Sequence, residues 1–90
     1  MTELRVEIDA LDADLIDLFV ERSRYIDRAV TLKSAEGLPA RIADRVEEVV
    51  SNVGTRAKAQ GLDPALVEDI WRRLIEWSIA REAKHLDPGS

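Results

Sequence analysis

An all-α fold, with three helices to a protomer and a first helix long enough to call for a second copy, is predicted by three observations. Apolar residues recur at helical spacing over most of the 90 residues. The four Gly and three Pro fall mainly in two short breaks, "EGLP" at 36–39 and "QGLDP" at 60–64. Hydrophobic residues make up 46% and charged ones 34%, with 4% aromatic, a balance that fits a globular helical chain and excludes disorder or a β-sandwich.

The first helix spans about Thr2 to Ala35, with no internal Gly or Pro before "EGLP" ends it. Thirty such residues reach roughly 45 Å, whereas a compact globule of this length has a radius of gyration of about 12 Å. The helix must overhang its own domain. Its apolar seam, Leu4, Ile8, Leu11, Leu15 and Leu18, then needs a cover, and a two-fold homodimer supplies one. The second helix, about Ala43 to Gln60, sets Val46, Val49, Val50, Val53 and Ala57 on one face, and Gly61 takes the C-terminal capping place. The third begins at Asp63 as N-cap with Pro64 in the first helical position. Its inner face runs Val67, Ile70, Trp71, Leu74, Ile75, Ser78 and Glu82.

At this length the chain is one domain, residues 1–90, with a frayed tail expected at 86–90. A net charge of −5 repels polyanions, so nucleic acid is not an expected partner. No apolar run approaches the roughly 18 residues of a membrane span, and no secretory leader is apparent, so no membrane partner is expected either. The absence of cysteine excludes thiolate chemistry and makes a reducing cytoplasm the expected location.

Polar residues interrupt the apolar faces at particular places. The seam of the first helix continues onto Arg22, where a core residue belongs. Lys33 follows eleven residues later, an angular offset of only about 20°, with the small Ala29 between them. Ser78 and Glu82 interrupt the third helix in the same way. Arg45 stands at the start of the second helix, where its side chain and the positive helix end both suit an anion. A buried arginine needs a partner. Either a carboxylate elsewhere in the chain pairs with Arg22, or two cations, a hydroxyl and a carboxyl form a site for a small anion. Arg5 points about 100° away from Arg22, and either pairs with Asp9 or serves a neighbouring copy. The lone His85 has no credible metal partners, no histidine base stands near an ordered serine, and no Gly-rich loop holds a nucleotide. No metal and no cofactor are expected, and any chemistry must rest on cationic positioning and hydrogen bonds.

The stretches "LRVEIDALDADLIDLFVER", Lys33, "GLPARIADR", "GLDPALVEDIW" and "WSIARE" resemble the all-helical class of chorismate mutases and its close relative, isochorismate pyruvate lyase. The resemblance covers nearly the whole chain. It implies an intertwined dimer of three-helix protomers, each of two active sites completed by an arginine from the other subunit. It implies that Arg22 and the partner's Arg5 hold the two carboxylates of a small dianion, and that Lys33 bridges a carboxylate and the ether oxygen. Arg45 adds charge near the ring, Ser78 bonds a carboxylate and Glu82 stands beside the ether oxygen. The implied reaction is the pericyclic conversion of chorismate to prephenate.

Three positions depart from the usual mutase pattern. Glu82 replaces a common glutamine and can donate a hydrogen bond only when protonated, as in fungal members. Ile42 and Val46 stand where mutases carry acidic groups that meet the ring hydroxyl, which is closer to the lyase; Ser78 is closer to the mutase. The alternatives are therefore isochorismate pyruvate lyase activity, giving salicylate and pyruvate, and a non-catalytic regulatory dimer that binds a small acid.

Overall fold

Nothing breaks the helical period before Gly37, and helix α1 accordingly runs Thr2–Glu36 in the computed structural model, which describes residues 1–89. Gly37 ends it in the left-handed conformation (φ 71°), and the next amide, of Leu38, donates back to the Lys33 carbonyl at 2.8 Å. Only glycine takes that backbone without strain, which is why the helix stops here. Helix α2 spans Ala43–Ala59 and helix α3 spans Pro64–Glu82. Asp63 caps α3 as expected, its carboxylate accepting from the Ala65 amide at 3.0 Å with Pro64 following.

Helix α3 is the hub. It packs on both α1 and α2, while the backbones of α1 and α2 stay more than 8 Å apart, Cα to Cα, among the described residues. The core is small and lies mainly between α2 and α3, with Val50, Ala57, Val67 and Ile75 buried together with Ala40 of the connection between α1 and α2. Gly54 is buried in α2, where a Cβ would stand 2.9 Å from Oε1 of Glu68, the far end of a flexible side chain. Ile70, expected inside, is 40% exposed and belongs to an outer face with Leu66 and Trp77.

Helix α1 buries none of its described residues. Its apolar seam is open, from 46% exposure at Ile8 to 62% at Leu11. The protomer measures 51 × 23 × 16 Å with a radius of gyration of 15.7 Å, so the expected overhang is present. Its accessible surface is 6959 Å², against about 5,300 Å² for a folded monomer of this mass.

Beyond α3 the chain runs through turns at 83–85 into residues 86–89, the stretch expected to fray. The Ala40 and Arg41 amides donate to the carbonyls of Asp87 and Pro88, at 2.7 and 3.1 Å, so residues 87–88 lie along the connection between α1 and α2. Ser90 lies outside the described residues.

Three arginine–carboxylate pairs tie α3 to its surroundings: Arg81 to Asp27 of α1, Arg72 to Glu47 of α2, and Glu76 to Arg41 of the connection. The hydrogen bonds from these arginines, before any other cause, hold the Asp27, Glu47 and Glu76 carboxyls below the usual range. A carboxyl depressed in the folded state contributes stability above its unfolded pKa and loses it as pH falls through the folded one. The melting temperature is therefore expected to drop as pH falls below about 4. The variant D27N/E47Q/E76Q, melted at neutral and acid pH, should show a weaker acid dependence than the parent.

Candidate active site

The polar interruptions predicted from the sequence come together. Arg22, Ala29 and Lys33 from α1, Ile42, Arg45 and Val46 at the start of α2, and Ser78 and Glu82 from α3 all line one cavity of about 280 Å³. That volume is close to the lower end for small-molecule sites. Arg5 is not there. It lies on the exposed amino-terminal part of α1, about 25 Å along the helix from Arg22.

Arg22 decides between the two readings of a charged seam. Its Nη1 donates to Oγ of Ser78 at 3.0 Å, and it forms no ion pair among the described residues. Burial first and the Arg45 charge second disfavour the guanidinium and lower its pKa from the usual arginine value. It nonetheless stays cationic at neutral pH. The half-buried cation thus rests on a neutral hydroxyl, beside a second cation. Ser78 is itself buried and passes its own proton to the Leu74 carbonyl at 2.9 Å, which leaves its oxygen facing Arg22.

Lys33 is held differently. Its Nζ donates to the Ala40 carbonyl at 2.8 Å and to Oε2 of Glu82 at 2.7 Å. An ammonium has three donors, so one remains. Glu82 is only 3% exposed. Its Oε1 makes no hydrogen bond, and no buried side-chain oxygen or nitrogen lacks a partner among the described residues. The small accessible remnant of this side chain therefore includes Oε1, at the cavity. Glu82 accepts from Lys33 through one oxygen and keeps the other available.

The head group of Arg45 is bonded to Glu48, one turn further along α2, and is largely exposed, so it borders the cavity instead of reaching across it. Ile42 precedes α2 in extended conformation, and no side chain caps the first turn. Ile26, Val49, Ile75 and Ile79 complete an apolar wall that the sequence reading did not assign to the site. Ile26 was legible, since it lies four residues after Arg22 and three before Ala29. The Ala40 carbonyl was not, because a backbone acceptor leaves no mark in the side-chain pattern. Among the described residues no group of His, Cys, Asp and Glu is placed to hold a metal ion, and no helix is long and apolar enough to cross a membrane.

Comparison with known proteins bears on this cavity. Residues 4–83 match the family described as chorismate mutase type II. The T-proteins of Enterobacter agglomerans and Haemophilus influenzae are each 33% identical over 82 residues, covering 91% of this chain and 22% of theirs. The chain thus spans about a fifth of the length of these relatives. An isochorismate pyruvate lyase of Pseudomonas aeruginosa is 29% identical over 86 residues, 94% of this chain and 83% of that protein. No solved structure matches at a comparable level. The match runs through all three helices, and on that ground the chain belongs to the chorismate mutase type II family.

Proposed function

We propose that this chain is a chorismate mutase, working as a homodimer on a small dianionic substrate and converting chorismate to prephenate. The observation that carries the reading is Arg22, a half-buried guanidinium with a hydroxyl partner and no carboxylate. A cation held this way is short of an anion. In the proposed reaction a C–O bond breaks as a C–C bond forms, with no covalent enzyme intermediate. Such a step needs the reactive conformer held in place and negative charge on the ether oxygen stabilised. Arg22, with Ser78, holds one carboxylate; the remaining donor of Lys33 meets the ether oxygen. Glu82, which holds Lys33 through Oε2, stands beside that oxygen. Arg45 supplies charge at the rim, over a floor and wall made by Ala29, Ile42 and Val46.

The second carboxylate is assigned to Arg5 of the other subunit. The accessible surface exceeds that of a compact monomer by roughly 1,700 Å², or about 3,400 Å² over two copies, in the range of obligate dimer interfaces, and the exposed seam of α1 contributes to it. A two-fold dimer with sites shared in this way makes a quantitative prediction. R5A and R22A homodimers should each be nearly inactive. A heterodimer carries both defects in one site and neither in the other. An equal co-refolded mixture should recover about a quarter of wild-type turnover. An active R5A homodimer would place Arg5 outside the site, and no recovery from two inactive parents would place it in the site of its own subunit. A cytoplasmic setting completes the reading, in keeping with a cysteine-free chain.

Ile42 and Val46 support a second reading. They leave this end of the cavity apolar, and the similarity to an isochorismate pyruvate lyase covers most of that protein. Chorismate and isochorismate offered separately, with products identified, test both: prephenate supports the mutase, and salicylate with pyruvate the lyase. A chain stabilised against unfolding by chorismate but leaving it unconsumed is instead a regulatory binder.

A further inference from the structure

The geometry points to the segment Asp87–Gly89 as a strap that positions Lys33, with Asp87 and Gly89 as positioning residues for the proposed reaction; the inference rests on that functional reading. Two hydrogen bonds converge on the backbone of Ala40, the most buried of the described residues at 2% exposure. Its amide donates to the Asp87 carbonyl at 2.7 Å, and its own carbonyl accepts from Lys33 Nζ at 2.8 Å. A single residue is therefore gripped from outside by the strap and from inside by the ammonium that faces the cavity. The adjacent Arg41 amide is bound to the Pro88 carbonyl at 3.1 Å, and the Arg41 guanidinium to Glu76 at 2.7 and 2.6 Å.

The strap is built for this approach. Gly89 has φ 86°, a conformation other residues adopt only with strain. A Cβ on it would stand 3.1 Å from both Cβ and the carbonyl oxygen of Arg41. Its amide donates to Oδ1 of Asp87 at 3.0 Å, which closes the turn locally before it meets the connection. Pro88 presents an acceptor and has no amide to leave unsatisfied.

The connection needs such a hold. Residues 38–42 lie outside any helix, and the backbones of α1 and α2 come no closer than 8 Å, Cα to Cα, among the described residues. The relation of Lys33 on α1 to the lip formed by Ile42, Arg45 and Val46 is thus set through this segment and through α3. Strap, connection and ammonium form one chain of contacts. If the strap is released, the Ala40 carbonyl loses its fixed direction and Lys33 its second acceptor, while Arg22 and Ser78, which do not touch the segment, keep their places.

This separation makes the inference testable in the full chain. G89V, which combines a β-branched side chain with the positive φ, and D87A, which opens the turn, are expected to lower kcat for chorismate by ten-fold or more. KM should change by less than about three-fold, and far-UV circular dichroism should be retained. D87N keeps the Oδ1 acceptor and should restore most of the D87A loss, a rescue that a merely structural loosening would not give. Amide exchange at Ala40 and Arg41 should accelerate in G89V and D87A alone. Wild-type kcat in both variants with those two amides deprotected overturns the strap and leaves the functional reading standing. A wild-type chain that turns over neither chorismate nor isochorismate overturns both.

Discussion

K33A is expected to reduce kcat on chorismate by at least about a hundred-fold, the effect of removing one donor worth roughly 3 kcal/mol from a developing oxyanion. The same substitution has a second consequence. Glu82 keeps only 4% of its side chain exposed, and Lys33 is the one partner of its Oε2. Removing one member of such a pair leaves a charge without compensation, at a cost of about 3–5 kcal/mol for a fully buried pair. The cost here lies toward the lower end, because Lys33 retains 20% of its exposure and water can enter. K33A should therefore be both slow and less stable, and either effect alone explains low activity in a crude assay. The double variant K33A/E82Q separates them. A neutral amide at position 82 needs no counter-ion, so the melting temperature should return most of the way to the parent. Turnover should stay at least a hundred-fold down, because the donor to the ether oxygen is still missing. Recovery of turnover along with stability would mean that Lys33 serves the fold and leaves the reaction to other groups.

Much of this site was legible because helical geometry is rigid. Eleven residues are just over three whole turns, so Arg22 and Lys33 had to share a face, and one spoiled apolar stripe on α1 had to meet another on α3 at Ser78 and Glu82. The limits of α1 and α3 were equally plain, since Gly37 and the Asp63–Pro64 pair each impose a backbone conformation. What the sequence hid depends on partners that no spacing encodes. Arg45 turned toward Glu48, a choice between two nearby anions, present and potential, that periodicity does not rank. Ile70 lies at the edge of the α3 stripe, and the side to which it falls depends on how α3 divides its contacts between α1 and α2. The docking of residues 87–88 rests on backbone amides and carbonyls alone, so composition read the segment as loose. The seam of α1 was correctly read as apolar, and its exposure here follows from the same overhang that predicted a second copy.

R22L should lower chorismate turnover by about ten- to a hundred-fold while leaving the melting temperature unchanged or raising it. The two outcomes follow from one geometry. In the folded protein Arg22 has exchanged part of its hydration for a single hydrogen bond to a neutral hydroxyl, and it lies in the field of Arg45. Both terms oppose the charged form, and no carboxylate offsets them. Leucine at this position continues the Leu15 and Leu18 stripe, removes the unfavourable charge and leaves Ser78 still bonded to the Leu74 carbonyl. Had the arginine served as half of a structural ion pair, the same change would strand a buried carboxylate and cost several kcal/mol. For the reaction, however, the loss is large. The dianion loses a charge-assisted contact, of about 1.5–3 kcal/mol for a hydrogen bond to an ionised group, and the second guanidinium, Arg45, is too far engaged with Glu48 to replace it. Thermal melts with and without chorismate read both sides at once: the free variant should melt at or above the parent temperature, and added chorismate should raise only the parent's. A variant that melts well below the parent would return Arg22 to the role of a structural charge and remove the main support for an anion site in this cavity.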